Sequence, residues 1–216
     1  MSPTTQGPRL RAEKLTKRFG LRTIFSGIEL DLEPGDILAV TGSNGSGKST
    51  LMKLLANVAL RSEGTVSWSI NGRDIEEERL PSTLGYVAPY LQLYTEFTAW
   101  EHVEMMQQMR GLRFDPARAL ELFERFGLAA RRNEPLGTYS SGMLQRAKFI
   151  CALIHHPPFL LLDEPMSNLD LRGIAAMREL VLAESGSRIT LIATNEEEDV
   201  RLCTKLLSVE GRAVAG

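Results

Sequence analysis

The sequence has few of the residues that build disulfides, metal clusters or nucleic-acid-binding surfaces. Its 216 residues include two cysteines and three histidines, and its net charge is −2. Cys151 and Cys203 lie far apart in apolar segments without metal-ligand spacing, which favours buried thiols in a reducing cytosol. No block of lysines and arginines stands out, so no nucleic-acid partner is expected.

Long apolar runs are also missing from the sequence. Residues 159–162, Phe-Leu-Leu-Leu, form one of the longest runs, which is far too short to span a bilayer. Residues 1–8 are polar and lack the apolar core of a signal peptide, which predicts a flexible tail. The composition, 43% hydrophobic and 24% charged, is that of a globular protein, so residues 9–216 are predicted to form one domain. A role at a membrane would require the spans of another chain.

One stretch carries a strong signal for nucleotide binding. Residues 42–50 satisfy G-x-x-x-x-G-K-[ST], the loop whose backbone N–H groups wrap phosphates. Residues 36–41 before it predict a buried strand, and residues 49–59 after it have helical apolar spacing. The N-terminus of that helix would add its dipole to the cradle, which favours a phosphate site over a simple Gly/Ser turn.

The loop residues are therefore predicted to bind a nucleoside triphosphate, with Lys48 on the phosphates and the Ser49 hydroxyl on Mg²⁺. The full predicted set is Gly42, Ser43, Asn44, Gly45, Ser46, Gly47, Lys48, Ser49 and Thr50.

The rest of the chain predicts an α/β fold with a phosphate-loop NTPase core. Strands alternate with helices, which implies a mostly parallel sheet with its ligand at the carboxyl ends of the strands. Residues 9–19 and 27–32 alternate apolar and polar side chains, as expected for antiparallel strands half exposed at a sheet edge. Two segments of helical spacing, 98–111 and 116–126, predict an α-helical subdomain at about 88–141, inserted between core segments at about 9–87 and 142–216.

An acidic pair follows a second predicted strand. Asp163 and Glu164 come directly after the buried run 159–162, where unpaired charges would be costly. Beside a phosphate loop the expected partner is Mg²⁺, with Asp163 holding the ion through water and Glu164 orienting the attacking water. A solvated helix cap or loop is the alternative.

A third motif narrows the protein class. Residues 138–146, followed by Asp-Glu-Pro at 163–165 and Ser-Asn-Leu-Asp at 167–170, resemble the ATP-binding-cassette (ABC) ATPases. The signature loop of that family reads Leu-Ser-Gly-Gly-Gln, and Tyr-Ser-Ser-Gly-Met at 139–143 occupies those places. A helix cap alone would explain Ser140, but the order and spacing of the three motifs favour the signature.

The resemblance implies further site residues. Ser140 and Gly142 match the part of the signature that binds ATP. Asp170 matches an aspartate of the loop at the dimer interface. Phe19 matches the aromatic residue that stacks on adenine, although an edge-strand hydrophobe is an equal alternative.

Two positions depart from the family pattern. A glutamine that senses the γ-phosphate and Mg²⁺ is expected where the sequence has Pro89 or Tyr90, and a histidine is expected at Asn195. Asparagine can hydrogen-bond a phosphate or hold a water, but it does not titrate near neutral pH. With Lys48, Glu164 and Asn195 as the catalytic set, the resemblance implies an active but slow ATPase.

The family works with two cassettes around two ATP molecules, and this sequence has one set of motifs. The resemblance therefore implies a homodimer that binds ATP and Mg²⁺. It implies an ATP-binding subunit of a membrane transporter, cytoplasmic and peripheral on the inner face of the cell membrane, docked on an integral-membrane subunit through the helical block. The short chain is similar to single-domain exporter subunits, including that of haem export in cytochrome c maturation, and to two-subunit bacterial exporters. The alternatives are a soluble cassette ATPase acting on nucleic acid or the ribosome, and a small-molecule kinase.

Overall fold

A computed structural model describes residues 7–210. The flexible tail predicted over residues 1–8 therefore lies outside the described residues for its first six positions. At its other end, the Gly7 N–H donates to the Asn71 side chain at 2.7 Å, and Pro8 already begins the first strand. The start of the domain is thus tied to a neighbouring turn.

Residues 7–210 contain nine strands and seven α-helices. The strands are β1 Pro8–Phe19, β2 Arg22–Leu32, β3 Ile37–Thr41, β4 Glu63–Ile70, β5 Arg73–Asp74, β6 Leu84–Val87, β7 Phe159–Asp163, β8 Ile189–Ala193 and β9 Lys205–Ser208. The helices are α1 Lys48–Leu55, α2 Leu80–Thr83, α3 Ala99–Met109, α4 Pro116–Arg125, α5 Ser141–Leu153, α6 Leu171–Ala183 and α7 Glu197–Val200.

A parallel sheet of five strands, in the order β6-β7-β8-β3-β9, forms the centre of the molecule. Both of its faces are covered, as the apolar runs predict. In β7, Leu160 and Leu162 pack against helices α3 to α6, whereas Phe159 and Leu161 pack against α1 and the second sheet. The α/β fold with a phosphate-loop core is therefore confirmed.

The second sheet is antiparallel and has the order β2-β1-β4-β5. Strands β1 and β2 pair as predicted, but the prediction that both lie at a sheet edge is wrong for β1, which has a partner on each side. Leu10, Ala12 and Leu15 are buried while the residues between them face solvent. Alternation of this kind reports one solvated face of a sheet, and a central strand shows it as clearly as an edge strand.

The predicted helices at 98–111 and 116–126 are confirmed as α3 and α4. Thr98 begins α3 with a capping box in which its side chain and that of Glu101 bond each other's backbone N–H groups. One other predicted helix is shorter in the structure. Helix α1 ends at Leu55 instead of residue 59, because Asn57 adopts φ +55. Helix α7 spans only four residues, because the N–H groups of Leu202 and Cys203 bond three residues back.

None of the helices between residues 7 and 210 combines the length and apolarity that a bilayer crossing requires. Both cysteines are free thiols, as predicted, with Cys151 buried and Cys203 half-buried. Burial raises the pKa of each thiol to about 11, so neither is a reactive thiolate at neutral pH.

Candidate active site

The phosphate loop leaves β3 and enters α1 through glycines that other residues would fit poorly. Gly42, Gly45 and Gly47 have φ of +144, +83 and +107. A Cβ at Gly47 would lie 2.5 Å from Ile24 Cγ2, so the loop packs directly on β2. The Gly47 carbonyl then accepts from Leu51 N at 2.8 Å, which begins the helix. Sterics at these positions therefore explain the glycine pattern.

Lys48 lies across the mouth of the loop. Its side chain is 5% exposed, and its Nζ donates to the carbonyls of Gly42 at 2.7 Å and Ser43 at 3.2 Å. The tip of the loop, residues 43–45, is exposed. The Ser43 N–H donates to the carboxylate of Glu210, and this contact lowers the pKa of Glu210. A backbone N–H of the cradle thus donates to an anionic oxygen, as it would to a phosphate.

Asp163, the last residue of β7, is in contact with Ser49 in the first turn of α1. The Ser49 hydroxyl donates to Asp163 Oδ1 at 3.0 Å. Asp163 is fully buried, and within residues 7–210 its Oδ2 has no hydrogen-bond partner. Burial raises the pKa of Asp163, and the Ser49 hydrogen bond opposes that rise. A buried oxygen pair with one atom unsatisfied fits a divalent cation, which would offset the cost of the buried charge.

Glu164 follows at the edge of the sheet with an exposed side chain. Its φ of +48 is in the left-handed region, which is uncommon for glutamate. A hydrogen bond from its N–H to Ala193 O at 2.9 Å, at the end of β8, fixes this conformation. The backbone is strained at the position where the sequence predicts the general base, as strain often is at functional sites.

Asn195 lies two residues after the end of β8, and its side chain contacts the phosphate loop. In the amide orientation that satisfies its neighbours, Nδ2 donates to Gly42 O at 2.7 Å and Oδ1 accepts from Lys48 Nζ at 3.3 Å. The amide is thus in contact with the lysine that is predicted to bind phosphate. A cavity of about 410 Å³ opens beside it, lined by Asn44, Glu164, Met166, Ser167, Thr194, Asn195 and Glu196.

The structure does not bring the signature residues to the phosphate loop of the same chain. Ser140 caps α5 by accepting from Met143 N at 3.3 Å. Gly142 packs so closely on the next loop that a Cβ would lie 2.7 Å from Asn168 O. Asp170 caps α6 through Gly173 N at 2.9 Å. Each therefore has a structural role within the chain that does not involve the phosphate loop.

Phe19 ends β1 at the hairpin that leads to β2. It is 58% exposed, and Lys17 Nζ lies 4.5 Å from its ring centroid. Its strand neighbour β2 supplies Ile24, which contacts the phosphate loop at Gly47. An exposed aromatic ring on this hairpin is accessible to a flat ligand, as the stacking prediction requires.

Sequence reasoning missed the partner of Tyr90. The hydroxyls of Tyr86 and Tyr90 form a hydrogen bond, and their rings meet edge to face with centroids 6.2 Å apart. Lys53 Nζ lies 4.0 Å from the Tyr90 ring centroid. The available signal was the spacing of the two tyrosines, four residues apart: Tyr86 lies on β6, the strand next to the one that ends in Asp163, and Tyr90 lies in the turn that follows β6.

A glycine loop that carries a buried lysine, joined through a serine hydroxyl to an aspartate at the end of a neighbouring parallel strand, defines a phosphate-loop nucleoside triphosphatase.

Comparisons with known proteins identify the family. The family model described as ABC transporter matches residues 25–167. The cytochrome c biogenesis ATP-binding export protein CcmA of Methylococcus capsulatus is 36% identical over 197 residues, which cover 89% of this chain and 93% of that protein. The lipoprotein-releasing system ATP-binding protein LolD of Alcanivorax borkumensis is 36% identical over 211 residues, which cover 91% and 92%. A solved ATP-binding subunit of an ABC transporter superposes with a TM-score of 0.83 at 26% identity, over 96% of this chain and 88% of that one.

The chain belongs to the ABC transporter family as an ATP-binding protein. The matched segment contains the phosphate loop, the signature and the Asp163-Glu164 pair, so the resemblance stated on those motifs is confirmed. The expected similarity to an ATP-binding export protein of cytochrome c biogenesis is confirmed as well. As a member of this family the chain binds ATP and is an ATPase.

Proposed function

We propose that the chain is the ATP-hydrolysing subunit of an ABC exporter, and that it works as a homodimer closing around two Mg-ATP molecules. The relatives CcmA and LolD support the exporter assignment, because they are named for export and for lipoprotein release and match nearly full length. The observation that supports the dimer is that each chain holds only half of an ATP site, called here the half-site. The phosphate loop and the signature are both accessible, but they are not in contact within one chain.

The exposed groups are complementary in chemistry. The tip of the phosphate loop at residues 43–45 is exposed, as are Ser140 and Asp170. Helix α5 is thirteen residues long. Its N-terminus presents backbone N–H groups and the positive end of the helix dipole. A nucleotide on one phosphate loop would leave its outer phosphate oxygens unpaired, and the Ser140 end of a second copy supplies the donors they need.

Each residue of the half-site then has a defined task. Lys48 exchanges its bonds to the loop carbonyls for phosphate oxygens and neutralises their charge. Ser49 and Asp163 would hold Mg²⁺, which supplies charge stabilisation on the transferring phosphoryl group. Glu164, exposed and fixed by its backbone, orients the attacking water, and Asn195 hydrogen-bonds the phosphate beside Lys48.

A surface away from the nucleotide suits the membrane subunit. A cavity of about 790 Å³ lies between the end of α3 and the segment that precedes β6. Met109 at its edge is 69% exposed, and Arg79 and Arg110 line it together with acidic residues. One side of the groove, at the end of α3, belongs to the predicted subdomain at about 88–141, whereas the other side, within residues 70–83, lies outside it. There the groove would receive a cytoplasmic segment of the membrane protein. The chain would thereby lie at the inner face of the membrane.

Complementation between two inactive variants tests the dimer. Lys48→Ala disables the phosphate loop, and Ser140→Asp disables the signature by charge while keeping a good helix cap. We expect each variant alone to be inactive and a mixture of the two to regain ATPase activity, because one of its two sites joins an intact loop to an intact signature. A mixture that stays inactive, while the wild type hydrolyses ATP, would contradict a shared site.

The Glu164→Gln variant provides the second test. We expect it to bind Mg-ATP without hydrolysing it, and to appear as a dimer by light scattering in the presence of Mg-ATP but as a monomer without nucleotide. Glu196→Gln, a change in the same cavity, is the matched control and should leave hydrolysis unchanged. Copurification with a membrane protein is expected. Salt-sensitive binding to DNA or RNA would instead favour the nucleic-acid alternative.

A further inference from the structure

The tyrosine pair lies on the metal side of the nucleotide site. Tyr86 on β6 is in register with Leu161 on β7, and both pack on the face of the sheet that α1 covers. Asp163 is two residues beyond Leu161, so its side chain belongs to the same face. The pair formed by Tyr86 and Tyr90 therefore reaches toward the end of β7 where Ser49 meets Asp163.

Two lysines fix the second tyrosine. Lys53, one turn along α1 from Ser49, places its ammonium 4.0 Å from the Tyr90 ring centroid, a cation–π contact that holds the ring. Lys148 of α5 donates to the main chain just before it, at Ala88 O over 3.3 Å and Pro89 O over 3.2 Å. The backbone and the ring of Tyr90 are thus both fixed, which leaves its hydroxyl in a defined place.

The hydroxyls remain protonated at neutral pH. Burial raises the pKa of Tyr90, and the negative charge of Asp163 raises it further. Burial also raises the pKa of Tyr86, followed by its contact with Tyr90. Two hydroxyls carry two protons, and the bond between them uses one. When the Tyr86 hydroxyl is the donor within the pair, the Tyr90 proton is available to an acceptor in the site.

We propose that Tyr90 is a further binding residue of the ATPase, whose hydroxyl would donate a hydrogen bond to a water bound to the Mg²⁺ of Mg-ATP. Tyr86 and Lys53 are positioning residues for it. A phenol thereby takes a place where the family pattern has a side-chain amide. The inference rests on the proposed assignment of Ser49 and Asp163 to the metal.

Tyr90→Phe tests this with little disturbance, because the ring and its contact with Lys53 are kept. We expect kcat for Mg-ATP to fall about tenfold, the effect of one lost hydrogen bond to a charged group. We also expect Mn²⁺ to bind the ATP complex several-fold more weakly, measured by electron paramagnetic resonance, with ATP affinity unchanged in EDTA. Tyr94→Phe is the matched control, because the Tyr94 ring packs on Phe97 and His102 instead.

Unchanged kcat and unchanged Mn²⁺ affinity in Tyr90→Phe would overturn the inference. The Asp163→Asn variant separates this result from a failure of the metal site itself. If Asp163→Asn removes Mn²⁺ binding and Tyr90→Phe does not weaken it, the tyrosine has no such role. If Asp163→Asn leaves Mn²⁺ binding intact, the metal assignment is wrong and the role of Tyr90 falls with it.

Discussion

Ser49 Oγ lies 3.0 Å from Asp163 Oδ1 and donates a hydrogen bond to it. The bond joins the first turn of α1 to the end of β7, and it brings together two residues that are 114 positions apart in the chain. It also turns one carboxylate oxygen toward the serine while the other has no partner in the described residues.

Ser49→Ala should separate metal binding from nucleotide binding. Without the hydroxyl we expect Mg²⁺-dependent ATP hydrolysis to fall on the order of a hundredfold, because a ligand of the ion is lost. Affinity for ATP in EDTA, measured by calorimetry, should change by less than about twofold, because the backbone cradle is intact. Ser49→Thr keeps the hydroxyl and should remain active. Equal loss of ATP affinity with and without Mg²⁺ would contradict the assignment.

Because asparagine does not titrate, the residue at position 195 should add no pH dependence to kcat of the wild type. Asn195→His places a group with an ordinary pKa of about 6.5 beside Lys48, so we expect a new inflection in the kcat–pH profile between about pH 6 and 7.5. The wild type should lack that inflection. Asn195→Ala, which removes the contact without adding a titrating group, should lower kcat at every pH. A profile of the histidine variant that overlies the wild type would refute the proximity of this residue to the reacting phosphate.

The phosphate loop allows a matched comparison of two glycines. Both Gly45 and Gly47 have positive φ, but a Cβ at Gly45 would meet nothing within 4 Å, whereas one at Gly47 would meet Ile24. We expect Gly45→Ala to lower the free energy of unfolding by about 1 kcal/mol and Gly47→Ala by about 2–4 kcal/mol. Urea denaturation of the nucleotide-free protein measures both. Equal losses would mean that dihedral strain alone, not the contact with β2, sets the cost.

His155 should make stability depend on pH. Burial, followed by the charge of Arg110, lowers the pKa of His155 to about 3 in the folded state. The unfolded chain, with a pKa of about 6.5, then binds a proton that the folded chain excludes. The contribution of neutral His155 to the free energy of unfolding is fully present above about pH 6.5. It is lost as the pH falls below about 6.5, with a slope that approaches about 1.4 kcal/mol per pH unit. His155→Leu should remove that part of the slope between pH 6.5 and 5, and an unchanged slope would contradict it.

The fold and the phosphate site were predictable because their signals are local. The strand before Gly42 and the helix after it follow from sterics and periodicity, as does the carboxylate at the end of β7. Element ends were less predictable: residue 57 ends α1 by adopting a left-handed conformation that asparagine tolerates but does not require. The place of β1 inside its sheet depends on pairing with β4, which no local pattern encodes.

The tyrosine pair shows most clearly what the sequence alone does not predict. The sequence indicates only that Pro89 and Tyr90 lack an amide, because matching positions to a motif identifies a residue and not its contacts. The contact of Tyr90 with Tyr86 and Lys53 depends on how β6 lies beside β7 and α1. The missing amide is evident from the sequence, whereas the contacts on which the proposed role of Tyr90 rests are evident only from the structure.

The two hydrogen bonds from Lys148 have a mechanical consequence. The signature residue Ser140 caps helix α5, and Lys148 lies about 12 Å further along the helix, at 1.5 Å per residue. Lys148 grips the carbonyls of Ala88 and Pro89, just ahead of Tyr90. Helix α5 therefore has one end at the surface that is proposed to meet a second copy, and its Lys148 is bonded to the segment that leaves β6, the strand next to the one that ends in Asp163. A rotation of α5 must therefore either move residues 88–90 with it or break both hydrogen bonds from Lys148.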